Sequence, residues 1–317
     1  MKYGTKHITT LLLWLMAAAL QGQQTSHTIH DMIAPYHYPV KYHAVDDSTK
    51  VAYVDQGQGD KTLLFIHGLA TYLPAWYTSI EAFKGEYRCI AVDLPGYGRS
   101  SKGDYPATMS YYAGVIHQLT ESLSLENVTL VGHSMGGQVA LTSVLSSPET
   151  YEALILLAPA GFETFKEAQK SWLKSVFTRE SVFHATEEQI RANWKLNFYN
   201  MPESVEFMIK DRVAMKKALD FEAYCQSVAR GVSGMLDEPV FDRLKEIEHQ
   251  TLVVYGANDQ LIPNVYLNPA LTTTEVARTG VAQMANARLE LIEHCGHFIS
   301  FDKPDKIHEL MKAFLTR

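Results

Sequence analysis

Cysteine is scarce in this 317-residue chain: Cys89, Cys225 and Cys295 are an odd number that allows at most one disulfide. A fold held together by a disulfide framework is therefore excluded. Positive charge is also in deficit. Lys and Arg total 28 against 35 Asp and Glu, a formal net charge of -7, whereas nucleic-acid binding calls for clustered Lys and Arg. No nucleic acid is expected among the partners. Long apolar runs are missing as well: residues 11–20 (LLLWLMAAAL) are uninterrupted, but a bilayer-spanning helix needs about 20 such residues. No internal repeat or low-complexity tract is visible beyond that segment.

What is present is 46% hydrophobic residues with 20% charged, enough to bury a large core. The apolar run follows Lys2, Lys6 and His7 and ends in Ala17, Ala18 and Ala19, the layout of a secretory leader. We read residues 1–22 as a signal peptide. The expectation is an exported protein, periplasmic or secreted, with no stable membrane insertion once the leader is removed; an uncleaved anchor is the alternative.

Three short strand patterns at 41–45, 51–55 and 62–66 are separated by Asp46-Asp47-Ser48 and Gly57-Gln58-Gly59-Asp60. Such breakers are turn chemistry, and the first two strands are close enough for a hairpin. Continuous apolar runs follow at 89–92, 128–131, 153–157, 251–255 and 288–292, as in parallel strands covered on both faces. Between them Tyr112, Val115, Ile116, Leu119 and Leu123 recur at helical spacing, as do Ala140, Leu141, Val144 and Leu145. The rhythm breaks between 157 and 251. That gap predicts a helical cap, placed at 162–235, between core segments 23–161 and 236–317. Its Trp172, Phe177, Phe183, Trp194, Phe198, Phe207, Met208, Met215, Phe221 and Tyr224 are expected mostly as packing residues.

The run at 128–131 leads into Gly132-His133-Ser134-Met135-Gly136-Gly137 and then a helical pattern. This is G-x-S-x-G between strand and helix, which holds a serine hydroxyl exposed on a strained turn. Gly132 and Gly136 are expected because a Cβ there would collide as strand and helix approach. The Met135 N–H falls at a helix start, where backbone donors are unpaired and negative charge is favoured. Gly68, after the strand at 62–66, lets the Leu69 N–H converge as a second oxyanion donor. His67 is expected to hydrogen-bond that loop, and His133 to point away from the reacting groups. The segment Asp93-Leu94-Pro95-Gly96-Tyr97-Gly98-Arg99-Ser100 lacks the lysine of a phosphate cradle. A structural loop near the site mouth is expected there.

A serine nucleophile needs a histidine base, and the histidine needs a carboxylate. Asp259 follows the strand at 251–255, at the edge where α/β sites gather, with Glu163 as the rival acid. His297, preceded by the flexible Gly296, is the candidate base and His294 its competitor. Cys295 between these histidines invites a zinc reading, but no second ligand cluster accompanies it, so no metal is expected.

These residues carry a resemblance. FIHGLA, DLPGYGRS, VGHSMGGQVA, YGANDQLIP and HCGHF follow one another as they do in the α/β-hydrolase superfamily, over about residues 42–315. The resemblance implies an α/β fold with an eight-stranded, mostly parallel sheet flanked by helices and a helical cap insertion. It also implies no cofactor and a covalent acyl-enzyme, with Ser134, Asp259 and His297 as the triad and Leu69 and Met135 as the oxyanion pair. Serine at the elbow departs from the dehalogenase and epoxide hydrolase branches, which use aspartate. The expected substrate is a small, partly apolar carboxylic ester. C–C bond hydrolysis of the ring-cleavage type, or ligand binding without turnover, is the alternative.

Overall fold

The computed structural model describes residues 27–316, so the segment read as a signal peptide lies outside the described residues. Eight strands form one sheet: β1 (Lys41–Ala44), β2 (Lys50–Gln56), β3 (Thr62–Ile66), β4 (Arg88–Val92), β5 (Val128–His133), β6 (Ala153–Leu157), β7 (Gln250–Gly256) and β8 (Ala287–Ile292). The sheet order is β1-β2-β4-β3-β5-β6-β7-β8. β1 and β2 make the expected hairpin, whose turn is closed by the Asp46 carboxylate accepting the Ser48 and Thr49 N–H groups. β2 also runs antiparallel to β4, and all later pairings are parallel.

Helices cover both faces, which is why the central strands are uninterrupted apolar runs. Every residue of β3, β5 and β6 is buried. The helices are α1 (Ile29–Met32), α2 (Tyr77–Phe83), α3 (Met109–Ser122), α4 (Met135–Ser146), α5 (Glu167–Val176), α6 (Arg179–His184), α7 (Glu187–Lys195), α8 (Glu206–Ala214), α9 (Phe221–Asp237), α10 (Thr273–Val281), α11 (Ile299–Asp302) and α12 (Pro304–Leu315). α5 to α9 lie between β6 and β7 and make the cap. After β3 the chain places β4 on one side and β5 on the other. A crevice opens beyond the carboxyl ends of strands where the order reverses in this way.

The cap aromatics and methionines are mostly packing residues, as expected: Trp194, Phe198, Met208, Met215, Phe221 and Tyr224 are buried, while Trp172, Phe177 and Phe183 are exposed by 38 to 44%. Burial is uneven across the cap: α5 buries only Leu173, whereas α9 buries residues along most of its length. One expectation needs correction: the loop from Asp93 to Ser100 does not border the cavity that Ser134 and His297 line. Asp93, Leu94 and Tyr97 are fully buried, and the Asp93 carboxylate accepts the Leu73 N–H at 2.6 Å, the Arg99 N–H at 2.7 Å and the Tyr36 hydroxyl at 2.6 Å. A buried carboxylate needs such donors, so this loop is an internal brace.

Candidate active site

β5 ends in His133 and α4 begins at Met135, leaving Ser134 alone at the corner with φ 53° and ψ −118°. A non-glycine residue with this backbone is strained, and the strain persists only where surroundings over-determine it. Here they do. The Ser134 N–H donates to Leu157 O, and Ser134 O accepts from Gly137, Gln138 and Ala160. A Cβ at Gly132 would lie 2.3 Å from Gly136 O, and one at Gly136 would lie 2.2 Å from Ile66 O. Both glycines are therefore required by the closeness of strand and helix. Gly68 abuts the same corner, where a Cβ would come within 2.9 Å of His133 Nδ1 and 3.2 Å of Ser134 Cβ.

The acid and base loops meet beyond β7 and β8. His297 Nδ1 and Asp259 Oδ2 are 2.7 Å apart, both residues buried. The other Asp259 oxygen accepts the Leu261 and Ile262 N–H groups at 2.8 and 3.1 Å. A carboxylate held in this way is acceptor-only, so Nδ1 carries the hydrogen and Nε2 is left as the basic nitrogen. Ser134 and His297 line one cavity of about 720 Å³, within the range that encloses small molecules. Leu69 lines it too. Met135 has a fully buried side chain beneath the elbow, and its N–H opens α4, where no intrahelical acceptor exists.

The other candidates separate by their hydrogen bonds. His67 is fully buried, with Nδ1 against Gly68 O at 2.8 Å and Nε2 accepting the Leu94 N–H at 3.1 Å. Both nitrogens are engaged within the loops. Burial lowers its pKa below the usual histidine value. His133 does not point away, contrary to expectation. Its ring packs 4.9 Å from His297 and 4.5 Å from Phe298, and Nε2 donates to His297 O at 3.1 Å. The elbow residue thus supports the base loop, and burial beside His297 pushes its pKa well down. His294 is exposed and meets Tyr199 Oη at 3.2 Å. Glu163 lines the cavity but bonds Asn264 and Asn268, while the bond to His297 is made by Asp259.

Among the cavity residues that the sequence did not single out, Arg212 stands apart. Arg212, on α8, is 7% exposed, lies over the Phe221 and Tyr224 rings at 5.1 and 4.7 Å, and has no hydrogen-bond partner at Nη1. Among several cap cations nothing in local sequence distinguished it. Its neighbour Asp211 turns to Tyr72 and the Ala34 N–H instead.

A strained serine at a strand-to-helix corner and a buried histidine–carboxylate pair, set beyond the carboxyl ends of a mostly parallel sheet, define the α/β-hydrolase class. Residues 61–304 match the alpha/beta hydrolase fold family, and the chain belongs to it. It is 25% identical to the dihydrolipoyllysine-residue acetyltransferase component of an acetoin cleaving system from Cupriavidus necator, over 95% of this chain and 79% of that one. It is also 25% identical to a 2-hydroxy-6-oxononadienedioate/2-hydroxy-6-oxononatrienedioate hydrolase from Paraburkholderia phymatum, over 84% of this chain and 91% of that one. A probable hydrolytic enzyme from Pseudomonas aeruginosa superposes with a TM-score of 0.82 at 23% identity, covering 93% of this chain and 99% of its own.

Proposed function

We propose that this α/β hydrolase is a serine hydrolase that cleaves a small, partly apolar carboxylic ester through an acyl-enzyme. The observation that carries this is the Ser134 corner opening on the same cavity as the Asp259–His297 pair. His297 Nε2 takes the Ser134 proton as the oxygen attacks the ester carbonyl. The Leu69 and Met135 N–H groups hold the oxyanion, and His297 then passes the proton to the leaving alcohol. Water, activated by the same nitrogen, releases the acid. Leu173, Val228, Val232 and Trp194 in the cavity wall support an apolar substrate portion. The leader pattern supports export, tested by locating the protein in cell fractions.

The test is a p-nitrophenyl ester panel, acetate through palmitate, with a fluorophosphonate probe, run on the protein and on Ser134→Ala. Turnover and labelling that vanish in the variant are expected. Folded protein with neither signal would point instead to a ligand-binding member of the fold.

A second reading, C–C bond hydrolysis, is favoured by Arg212. A buried guanidinium with an unpartnered nitrogen at a cavity wall suits an anionic substrate group, and the Paraburkholderia relative is named for dioates, which carry two carboxylates. Cleavage of a dienedioate that falls sharply in Arg212→Gln, with little ester turnover in the parent protein, would select this reading over the first.

A further inference from the structure

Two carboxylates outside the Ser134–Asp259–His297 set each hold one of the loops that carry the acid and the base. On the acid side, Glu163 Oε1 accepts the Asn264 N–H at 2.9 Å and the Asn268 side-chain amide at 2.6 Å. Gln169, in the first turns of α5, donates in turn to Leu267 O at 2.8 Å and to Asn268 Oδ1 at 3.3 Å. The loop beyond Asp259 is thereby fastened to the entry of the cap. On the base side, Asp302 Oδ2 accepts the N–H of Gly296, the residue before His297, at 2.7 Å. The same oxygen accepts the Tyr199 N–H at 2.7 Å, and Oδ1 accepts the Asn200 N–H at 3.3 Å. Phe298 N–H donates to Asn197 O at 2.8 Å beside them. The loop around His297 is thereby fastened to the chain that leaves α7.

We propose that Glu163 and Asp302 are a matched pair of positioning residues, which couple the place of the cap to the place of Asp259 and His297. Hydrogen bonds to charged acceptors are the short, strong ones. Each carboxylate here joins a core loop to a cap segment through a single oxygen or a single side chain. Moving either loop by about 1 Å would cost about 100-fold in rate, because the base must stay within reach of the serine. Neither carboxylate needs to touch the reacting atoms to do this.

The proposal rests on the serine hydrolase reading, and amide variants separate it from simple loss of fold. In Glu163→Gln the side-chain oxygen can still accept from both Asn264 and Asn268. In Asp302→Asn it can still accept from both Gly296 and Tyr199. Alanine at either position leaves those donors without their acceptor. The full chain is compared with these four variants and Ser134→Ala for kcat and KM on p-nitrophenyl butyrate and for the fluorophosphonate labelling rate.

Each alanine variant is expected to lower kcat and labelling about tenfold or more, with KM changed less than about threefold; each amide variant should stay within about threefold of the parent. Alanine variants within about twofold of the parent, or amides as slow as alanines, would overturn the pairing while Ser134→Ala remained inactive. Persistent turnover in Ser134→Ala would sink the underlying reading instead. Should the alanine variants not fold, Asn268→Ala decides the acid side: a fall in kcat of about threefold supports the proposal, and an unchanged value overturns it.

Discussion

In β3, β5 and β6 every residue is buried, whereas in α5 of the cap only Leu173 is buried among ten residues. The sheet is covered on both faces, so its strands must be apolar throughout. The cap covers the sheet on one side and meets water on the other, so an outer helix such as α5 has only a narrow stripe to hide, while α9 buries ten of its seventeen residues. The two regions divide the labour accordingly. Groups that need fixed geometry, Ser134, Asp259 and His297, stand on turns at the ends of rigid strands, and the cap supplies much of the wall around the substrate.

Ser134→Ala should show the largest effect of any single change and should show it in rate alone. Loss of at least about 10⁴ in kcat/KM is expected, because removing the proposed nucleophile would disable the whole set. The melting temperature should hold, since alanine keeps the Cβ and the strained backbone of the corner and removes only the hydroxyl. A fall in stability as large as the fall in rate would mean that Ser134 is chiefly structural, and that the contrast between chemistry-bearing turns and packing-bearing strands is drawn in the wrong place.

Packing comes next. Phe65 in β3 is fully buried against Trp76, with ring centroids 5.1 Å apart, and Phe65→Ala should cost about 3–5 kcal/mol. Leu173→Ala in the cap should cost about 2–3 kcal/mol, because Leu173 is 6% exposed in a small cluster with Val232 and Leu236 that can partly collapse. Denaturant midpoints at constant slope measure both. Equal losses would show that the cap is packed as tightly as the sheet.

The same contrast explains what was legible in sequence. Strands buried on both faces announce themselves as apolar runs, and the structure extends those at 128–131 and 251–255 by one or two residues. The elbow is legible because glycine at 132 and 136 is a steric necessity. The meeting of Asp259 with His297 was anticipated from their places at strand ends, whereas the orientation of His133 was not. Its contact is a carbonyl 164 positions away in the chain, and no local pattern encodes such a bond. Asp302 escaped for the same reason, since its partner Tyr199 lies 103 positions away in the chain. Cap residues such as Trp172 and Arg212 were illegible because an amphipathic helix does not reveal which neighbour it faces.

Acid should attack the core before the cap. Burial lowers the pKa values of His67 and His133 in the fold, while in the unfolded chain both rings take up protons near pH 6.5. The unfolded state therefore binds more protons below that pH, and stability is lost as pH falls through it, by at most about 1.4 kcal/mol per pH unit for each ring. Urea midpoints between pH 7.5 and 5 should fall in the parent and fall less steeply in His133→Gln. Identical slopes in the two proteins would show that His133 does not contribute.

Trp172 provides the smallest expected effect and the sharpest test of the contrast, because its neighbour in sequence is Leu173. The two side chains leave α5 about 100° apart, one toward the Val232–Leu236 cluster and the other 44% exposed. A large aromatic at that exposure keeps close to half of its surface in water, so Trp172→Ala should cost clearly less than Leu173→Ala, about 1 kcal/mol or less. Helix propensity even favours the replacement. The measurement is again a urea midpoint, set beside that of Leu173→Ala. A loss of 2 kcal/mol or more, the order of a buried side chain, would mean that Trp172 is covered in solution and that this face of the cap is not a water-facing one.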